Sequence, residues 1–346
     1  MKNPVNPVKK KIKRKNIHMN PAEQKILIRV PNWIGDAVVS TAFVAACAKA
    51  HPGASITVLA HPRVAALFEN DPEIQSIIKL SPERSLWQTS RELKKGKFDV
   101  AYILPISFSS ALMTFLAGIP KRIGYSAEGR GFLLTQKLKY SQNDFRSRHI
   151  ILDFMKLLGR EEAVNAPGIS LSPEEMKWAG EFLASNKLQT GNITGFGPGA
   201  TFGPAKRWFQ ENWVELGREL VSRGHQILIF GSDEETELCE EIAQDIGPKA
   251  ISLAGAASLR QSAALLSRCS NFITNDTGVM HLAAAAGTRV TAIFGSTNPA
   301  WTKPWGEKHR VIYNGENCSP CYKRECKYGH YDCLKKISVK DILDAD

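Results

Sequence analysis

Short apolar runs alternate with longer helical patterns along the first third of the chain. Four runs have the length and the partly β-branched composition of buried strands: KILIRV (25–30), SITVLA (55–60), IQSIIKL (74–80) and FDVAYILP (98–105). Helical patterns lie between them, the first running from Asp36 to about Ala50. Parallel strands need crossovers of this kind, so the alternation predicts a parallel sheet covered by helices.

The strand pattern stops between about 141 and 190 and then returns. The intervening residues predict helices, one of which begins at SPEEMKW with Ser172 as its N-cap and Pro173 in its first turn. Beyond them, strands in NITGFG, HQILIFG, AISLAG, NFITN and RVTAIFG again alternate with helices. The pattern predicts two doubly wound α/β halves with a boundary near 185–192. Ligands of such sheets lie at the carboxyl ends of the strands, here in the cleft between the halves.

Length and composition fit this two-part organisation. A chain of 346 residues exceeds one ordinary core, and 43% hydrophobic with 23% charged residues is typical of a soluble globular protein. The sequence has neither an apolar run long enough to span a bilayer nor the apolar core of a signal peptide. We therefore expect a cytoplasmic protein.

Most of the excess positive charge lies near the N-terminus. The net charge is +11, and residues 1–20 carry seven Lys or Arg and no acid, which leaves 11 − 7 = +4 for the rest. Their composition predicts a basic disordered tail over 1–24. Binding to nucleic acid or anionic lipid is one interpretation of this tail, and a merely solvated tail is the favoured one. The mild remaining charge argues against a specific nucleic-acid groove.

The loop after the first strand, RVPNWIGDAVVS, places Gly35 and Asp36 at the start of a helix. A carboxylate there is ordinarily an N-cap, stabilised by the helix dipole and by free backbone N–H groups. The alternative is a general base at the floor of the cleft, which takes a proton from an attacking hydroxyl. From this loop alone the cap is favoured.

The loop GFGPGATFGPAKRW combines four glycines with a basic pair, Lys206 and Arg207. Glycines let backbone N–H groups approach an anion, and a lysine adds a point charge for phosphate. The loop matches neither GxxxxGK[ST] nor GxGxxG, which argues against a Walker ATPase and a dinucleotide-binding protein. Phosphate binding is favoured over a plain Gly/Pro turn.

The stretch NDTGVMHLAAAAG (275–287) predicts a helix whose start can hold an anion. Asn275 and Asp276 are expected to cap it, while Thr277 and Gly278 expose N–H groups suited to a diphosphate. His281, one turn later, is either a satisfied structural histidine or a donor to a sugar hydroxyl or phosphate.

A further acid follows the strand HQILIFG. Glu235 is there a candidate acceptor for ribose hydroxyls, with an ordinary helix-dipole partner as the alternative.

The seven cysteines form two groups. Cys47, Cys239 and Cys269 lie in helical patterns and are interpreted as small buried hydrophobic residues. Four more lie within a short segment with the spacing C-x2-C-x4-C-x6-C: Cys318, Cys321, Cys326 and Cys333. In a cytosolic protein such a cluster favours metal over disulfides. A structural zinc is one prediction and reduced, partly buried thiols are the other.

Three of these stretches together resemble, in order and spacing, the lipopolysaccharide heptosyltransferases: RVPNWIGDAVVS, GPGATFGPAKRW and NDTGVMHLAAAAG. The resemblance extends from about residue 25 onward and is strongest to members that add the second inner-core heptose. Family members are inverting glycosyltransferases of the GT-B fold, with two Rossmann-like doubly wound domains facing a central cleft. It therefore implies an N-terminal acceptor-binding domain over 25–188. A C-terminal donor-binding domain would follow over 189–346, including the Cys-rich segment 318–333.

The resemblance also implies roles, motif by motif. Asp36 matches the catalytic base, and Lys206 matches the lysine that binds phosphate and stabilises the departing diphosphate. The other residues that it implies at the donor are Thr201, Glu235, Asp276, Thr277, Gly278 and His281. No catalytic cofactor is implied, since fixed positive groups replace a divalent ion.

The implied reaction moves L-glycero-D-manno-heptose from ADP-heptose to the heptosylated Kdo2-lipid A core at the inner membrane surface. The residues themselves do not distinguish adenine from uracil. A GT-B transferase with another nucleotide sugar or acceptor, including first-heptose transfer, therefore stays open. So does a non-catalytic sugar- or nucleotide-binding protein, although such a protein would not need both Asp36 and the anion loop. Nucleic-acid binding through the tail predicts an affinity that is lost on deletion of residues 1–20 and falls steeply with salt.

Overall fold

The computed structural model describes residues 24–81, 83–163 and 165–344. The predicted tail over 1–24 lies, except for its last residue, outside the described residues. Within the described ranges, no helix combines the length and the apolar character needed to cross a bilayer.

Two parallel six-stranded sheets form the framework and confirm the predicted pair of doubly wound α/β halves. The first has the strand order β3-β2-β1-β4-β5-β6 and the second β12-β11-β10-β7-β8-β9. The first contains β1 (Lys25–Arg29), β2 (Ser55–Ala60), β3 (Ser76–Lys79), β4 (Val100–Ile103), β5 (Lys121–Tyr125) and β6 (Gln136–Leu138). The second contains β7 (Ile193–Gly197), β8 (Gln226–Ile229), β9 (Ala250–Ser252), β10 (Asn271–Asn275), β11 (Arg289–Phe294) and β12 (Arg310–Tyr313). We call these sheets with their helices the N-lobe and the C-lobe.

Helices connect the strands and cover the sheets. In the N-lobe and the connection they are α1 (Ile34–Ala50), α2 (Pro62–Ala65), α3 (Leu86–Gly96), α4 (Phe108–Leu116), α5 (Gln142–Ser147), α6 (Ile150–Lys156) and α7 (Pro173–Ser185). In the C-lobe they are α8 (Gln210–Ser222), α9 (Thr236–Ile246), α10 (Leu259–Leu266), α11 (Gly278–Ala285), α12 (Pro299–Thr302), α13 (Asp332–Lys335) and α14 (Val339–Leu343). Short 3-10 turns lie at Ala66–Phe68, Arg130–Leu133, Pro204–Lys206 and Asp233–Glu235.

The strands that the apolar pattern does not predict are β5, β6 and β12. β6 and β12 are sheet edges, and β5 begins with Lys121 and Arg122. The sequence of β6 is QKL, with two exposed residues. An edge strand is not buried on both faces, so it lacks the continuous apolar run that marks the central strands.

The core continues from one lobe into the other. Helix α1 of the N-lobe packs against α11 of the C-lobe, and one apolar cluster includes Phe43 and Val44 of α1 together with Met280 and Leu282 of α11. The lobes therefore share a packed contact beside the carboxyl ends of β1 and β10, the edges to which the strand pattern assigns ligands.

A buried arginine joins the lobes at a second place. Arg260 of α10 donates to both carboxylate oxygens of Glu175 in α7, at 2.7 and 2.6 Å. The same guanidinium donates to the carbonyl oxygens of Ser170, at 2.5 Å, and of Glu69 in the N-lobe, at 3.3 Å. Helix α7 thus packs on the C-lobe while its ion pair also contacts the N-lobe.

Candidate active site between the lobes

The starts of α1 and α11 approach each other closely across the cleft. A Cβ atom on Gly35 would lie 2.9 Å from Cδ2 of His281, and one on Gly278 would lie 2.9 Å from Cβ of Ile34. Any larger side chain would force the two helices apart. The glycines therefore bring two helix N-termini, each with free N–H groups and a positive dipole end, to one place.

These helix starts line a cavity of about 340 Å³. From the N-lobe its walls are Trp33, Ile34, Gly35, Asp36, Arg63 and Arg146. From the C-lobe they are Thr201, Phe202, Lys206, Asp276, Thr277, Gly278, His281, Thr297, Trp301, Thr302 and Tyr322. The structure thus brings together the predicted site residues, with the exception of Glu235.

Asp36 does not cap its helix, contrary to the interpretation favoured from its loop alone. Trp33 occupies the N-cap position, and Asp36 is the third residue of α1. Its carboxylate accepts no hydrogen bond from the part of the chain that the structure describes. Burial raises the pKa of Asp36 to about 6; Lys206 opposes this shift and Asp276 adds to it. A carboxylate left without partners at a cavity wall is available to take a proton.

Asp276 does not cap α11 either, because its carboxylate binds elsewhere. Lys206 donates to its Oδ2 at 2.5 Å, and so does the hydroxyl of Thr297 at 2.6 Å. The Thr302 hydroxyl donates to the other oxygen at 3.4 Å. The N-cap of α11 is Thr277, which forms no side-chain cap. Asp276 instead fixes the ammonium group of Lys206 at the floor of the cavity.

Asn275, the other predicted cap, holds the glycine-rich loop. Its amide donates to the carbonyl oxygen of Pro198 at 2.6 Å, and its Oδ1 accepts the backbone N–H of Trp208 at 3.1 Å. The loop that carries Lys206 is therefore fastened at both ends by one buried side chain.

Glu235 lies behind this loop and not on the cavity wall. A Cβ atom on Gly199 would lie 2.2 Å from the carboxyl carbon of Glu235. One of its oxygens accepts the N–H and the hydroxyl of Ser232, at 2.9 and 3.0 Å. The glycine leaves room for the carboxylate directly beneath the loop backbone.

Thr277 and His281 face the cavity with free polar atoms. The hydroxyl of Thr277 is buried and has no hydrogen-bond partner among the described residues. Burial and neighbouring positive groups lower the pKa of His281 to about 3, so its ring is neutral at physiological pH. A neutral imidazole offers one donor and one acceptor.

Several residues of the cavity wall were not predicted from the sequence. Arg146 of α5 lies 4.0 Å from the ring centroid of Tyr322 and 5.7 Å from that of Trp301, which joins the lobes by cation–π contacts. Thr297 offered a usable signal, since it follows β11 at the carboxyl edge of the sheet. Arg63 and Arg146 offered none, because each is a single basic residue in a helix too short to show a pattern.

The Cys-rich segment 318–333 supports the site through its other residues. Tyr322 lines the cavity, and the carbonyl oxygen of Arg324 accepts the backbone N–H of Ala205 at 3.0 Å. Gly203 packs on Arg324 with a positive φ of 144°. The segment thus carries the back of the glycine-rich loop.

The predicted zinc at this segment finds no support. The described residues contain no group of three or more His, Cys, Asp or Glu placed to hold a metal ion. All four thiols are free. Burial and the neighbouring thiols raise the pKa of Cys333 to about 11.

Comparisons with known proteins identify a family profile and several relatives that this chain resembles. The sequence profile of glycosyltransferase family 9 (heptosyltransferase) matches residues 86–332. Lipopolysaccharide heptosyltransferase 2 of Escherichia coli K12 is 31% identical, over 92% of this chain and 97% of its own. Lipooligosaccharide heptosyltransferase 2 of Haemophilus influenzae is 30% identical over 83% of this chain and 88% of its own.

The solved structures agree with these relatives. The structure of E. coli ADP-heptose LPS heptosyltransferase II superimposes with a TM-score of 0.80 at 28% identity, covering 93% of this chain and 97% of that one. A glycosyltransferase family 9 protein from Veillonella parvula gives a TM-score of 0.84 at 24% identity, covering 93% and 96%. The predicted GT-B architecture is thereby confirmed.

Proposed function

The chain belongs to glycosyltransferase family 9, the heptosyltransferases, and from this premise we propose its substrates and its mechanism. The chain transfers L-glycero-D-manno-heptose from ADP-heptose to the heptosylated Kdo2-lipid A core of lipopolysaccharide. The N-lobe, over 25–188, holds the acceptor, and the C-lobe, over 189–346, holds the donor. One observation carries the proposal: the unpartnered carboxylate of Asp36 faces, across a single cavity, a fixed lysine and a helix N-terminus.

Asp36 is the general base of this proposal. An acceptor hydroxyl attacks the anomeric carbon of the donor while its proton passes to the carboxylate. A pKa of about 6 keeps Asp36 ionised at neutral pH and makes it a stronger base than an ordinary carboxylate. The bond between the anomeric carbon and the diphosphate breaks on the opposite face, so the configuration inverts without a covalent glycosyl-enzyme.

The C-lobe stabilises the charge that grows on the departing ADP. Lys206 and the backbone N–H groups at Thr277 and Gly278 are positioned before the reaction, so they need no reorganisation as the charge develops. A mechanism with these fixed positive groups requires no divalent ion. Thr201 and His281 bind the sugar and diphosphate. Glu235, packed beneath Gly199, acts on the ribose indirectly, by positioning the glycine-rich loop.

A direct assay tests the proposal. Purified full-length chain is incubated with ADP-heptose and heptosylated Kdo2-lipid A, and mass spectrometry follows the acceptor. The expected product carries one additional heptose, and the Asp36→Asn variant should give almost none.

Two further incubations separate the alternatives. Replacing the acceptor by Kdo2-lipid A without heptose tests first-heptose transfer, and replacing the donor by a UDP-sugar tests the nucleotide. Product in either of these incubations, with none from ADP-heptose and the heptosylated acceptor, would overturn the assignment.

A further inference from the structure

The outer side of α4 is apolar where a helix at the surface of a lobe is ordinarily polar. Phe108, Leu112, Phe115 and Leu116 recur at the spacing of one helix face. Phe115 is 46% exposed and Phe108 38% exposed, and the two leucines are half-buried. The ring of Phe132, 73% exposed, lies 6.2 Å from that of Phe108 and extends the surface. We call these five residues the α4 face.

Basic side chains surround the α4 face. The guanidinium of Arg122 lies 5.3 Å from the ring of Phe115, and Nζ of Lys137 lies 4.0 Å from the Cβ position of Gly131, the neighbour of Phe132. Lys139, directly after β6, is also exposed.

Residues 107–140 carry five Lys or Arg and one acid, Glu128. Arg130 is fully buried, and Lys121 alternates to the opposite face of the sheet with Ile123. Three cations and one acid remain beside the α4 face, a net charge of 3 − 1 = +2.

The single acid in this region is already engaged. The carboxylate of Glu128 accepts the backbone N–H of Phe108 at 3.0 Å, at the N-terminus of α4. An acid at this position is stabilised by the helix dipole. Three outward cations outnumber this one carboxylate, so the charge that the region presents outward is positive.

The α4 face begins at the edge of the sheet that opens into the cavity. Helix α4 follows β4, the Phe132 turn follows β5, and α1 with Asp36 follows β1. These three strands are parallel and adjacent, so their carboxyl ends lie along one edge. Phe108 and Phe132 thus lie at the same edge of the sheet as the proposed general base.

We propose that the α4 face docks the N-lobe onto the surface of a lipid bilayer that contains anionic lipids. An amphipathic helix with aromatic residues on one face and cations beside it is suited to lie in such an interface. The rings enter the headgroup region, and Lys137 and Lys139 bind lipid phosphates. The guanidinium of Arg122 donates to the carbonyl oxygens of Leu133 and Ile119 and adds positive charge beside Phe115. The inference rests on the proposed function in one respect: a lipid-anchored acceptor would then meet Asp36 without leaving its membrane.

Charge decides between a membrane and a second copy of this chain as the occupant. Two copies related by a twofold axis would place the same basic residues against each other, which is unfavourable. An anionic bilayer pairs with them instead.

Flotation with vesicles tests the docking without donor or acceptor. The full-length chain is mixed with phosphatidylcholine vesicles or with vesicles that also contain phosphatidylglycerol. Strong binding is expected only to the second. The double variant Phe108→Ser/Phe132→Ser should bind these vesicles at least about tenfold more weakly, because two large apolar contacts are lost. Lys137→Glu should weaken binding about fivefold or more.

Matched variants on the C-lobe serve as controls. Tyr328 is 63% exposed and Lys249 is exposed, so Tyr328→Ser and Lys249→Glu remove comparable groups away from the α4 face. Both should bind within about twofold of the parent chain, a difference far below the tenfold of the apolar variant. The basic tail over 1–24 is identical in all variants, so any difference in vesicle binding between them is due to the α4 face.

Three results would overturn the proposal. One is no flotation of the parent chain with anionic vesicles, and another is equal flotation of the parent and the Phe108→Ser/Phe132→Ser variant. The third is a parent dimer that this variant converts to monomers without any change in vesicle binding. Transfer of heptose to an acceptor stripped of its acyl chains should be unaffected by the variant. Failure of the docking and failure of the proposed function are therefore distinguishable.

Discussion

The two walls of the cleft hold their charged groups in opposite ways. On the C-lobe, Asp276 accepts hydrogen bonds from Lys206, Thr297 and Thr302. On the N-lobe, the carboxylate of Asp36 accepts none from the described residues, although it lies in the same cavity. The acid on one wall belongs to a hydrogen-bonded network, and the acid on the other has no hydrogen-bond partner among the described residues.

This difference separates binding from reaction. A network whose members satisfy one another is rigid and keeps its charges in place for a developing anion. An acid that must accept a proton is more useful unpaired, because each hydrogen bond to its charged form lowers its basicity. This difference is consistent with the proposed roles, in which the C-lobe binds the donor and the N-lobe accepts the proton.

Asp36→Ala gives the most severe test of the comparison. Loss of a general base is expected to lower turnover by about 10²–10⁴-fold. Binding of ADP-heptose, measured by calorimetry, should stay within a few-fold because the donor contacts lie on the other wall. Glu211→Ala, which removes an exposed acid from the first turn of α8, is the control and should leave both quantities unchanged. Turnover retained within tenfold in Asp36→Ala would remove the general base from the mechanism.

Lys206→Ala tests the hydrogen-bonded network and should affect binding as well as turnover. The substitution leaves Asp276 charged and nearly buried with only hydroxyl partners. The diphosphate then loses its fixed cation and lies near the uncompensated carboxylate of Asp276, so ADP should bind at least about 30-fold more weakly. Arg207→Ala removes the adjacent, exposed cation and should change the affinity little. Equal effects of the two variants would show that general positive charge, and not the fixed position of Lys206, binds the donor.

The sequence predicts the framework better than the network. The central strands are apolar runs buried on both faces, and such runs can be recognised in the sequence alone. The pairing of Lys206 with Asp276 joins residues 70 positions apart, which no local pattern reveals. Helix-capping rules even pointed the wrong way for Asn275 and Asp276, because tertiary partners outcompete the local N–H groups.

The site could be predicted only where its residues share a motif. Asp36, Lys206 and the Asp276–His281 stretch lie in loops that follow predicted strands, and the cavity unites them. Arg146 and Tyr322 come from a short helix and from the Cys-rich segment, which carry no such pattern. Their contact depends on how the two lobes close, and that arrangement is decided by packing between α1 and α11.

The pH dependence of kcat/KM tests the unpaired state of Asp36. Since the base must be ionised, kcat/KM should be constant above a pKa of about 6 and fall tenfold per pH unit below it. His281 and His149 have lowered pKa values, about 3 and 4, so neither produces this limb. Asp153 also has a pKa raised to about 6, but it does not line the cavity. If the decrease at low pH persists in the residual activity of Asp36→Asn and disappears in Asp153→Asn, the titrating group is Asp153 and not Asp36.

Gly278→Ala tests whether the two walls must touch. The added Cβ would lie 2.9 Å from Cβ of Ile34 and 3.2 Å from the backbone nitrogen of Gly35, so α1 and α11 must separate. We expect a loss of about 1–3 kcal/mol in stability and about a tenfold decrease in kcat/KM. Gly180→Ala is the control, since nothing lies within 4 Å of its Cβ position in α7. An unchanged Gly278→Ala enzyme would mean that the close approach is not needed for transfer.

Asp36→Asn should stabilise the fold while it abolishes the reaction. The pKa of Asp36 rises from 3.8 to about 6 on folding, so the native state binds the proton more tightly than the unfolded chain. Stability therefore decreases as the pH rises through this interval, and above it the buried charge costs the native state about 1–3 kcal/mol. The neutral amide avoids this cost, so thermal or urea unfolding should show a more stable variant at neutral pH. The advantage should vanish near pH 4, where the native carboxyl is protonated. Equal stability at both pH values would mean that partners absent from the described residues already satisfy Asp36, and the contrast between the two walls would fail.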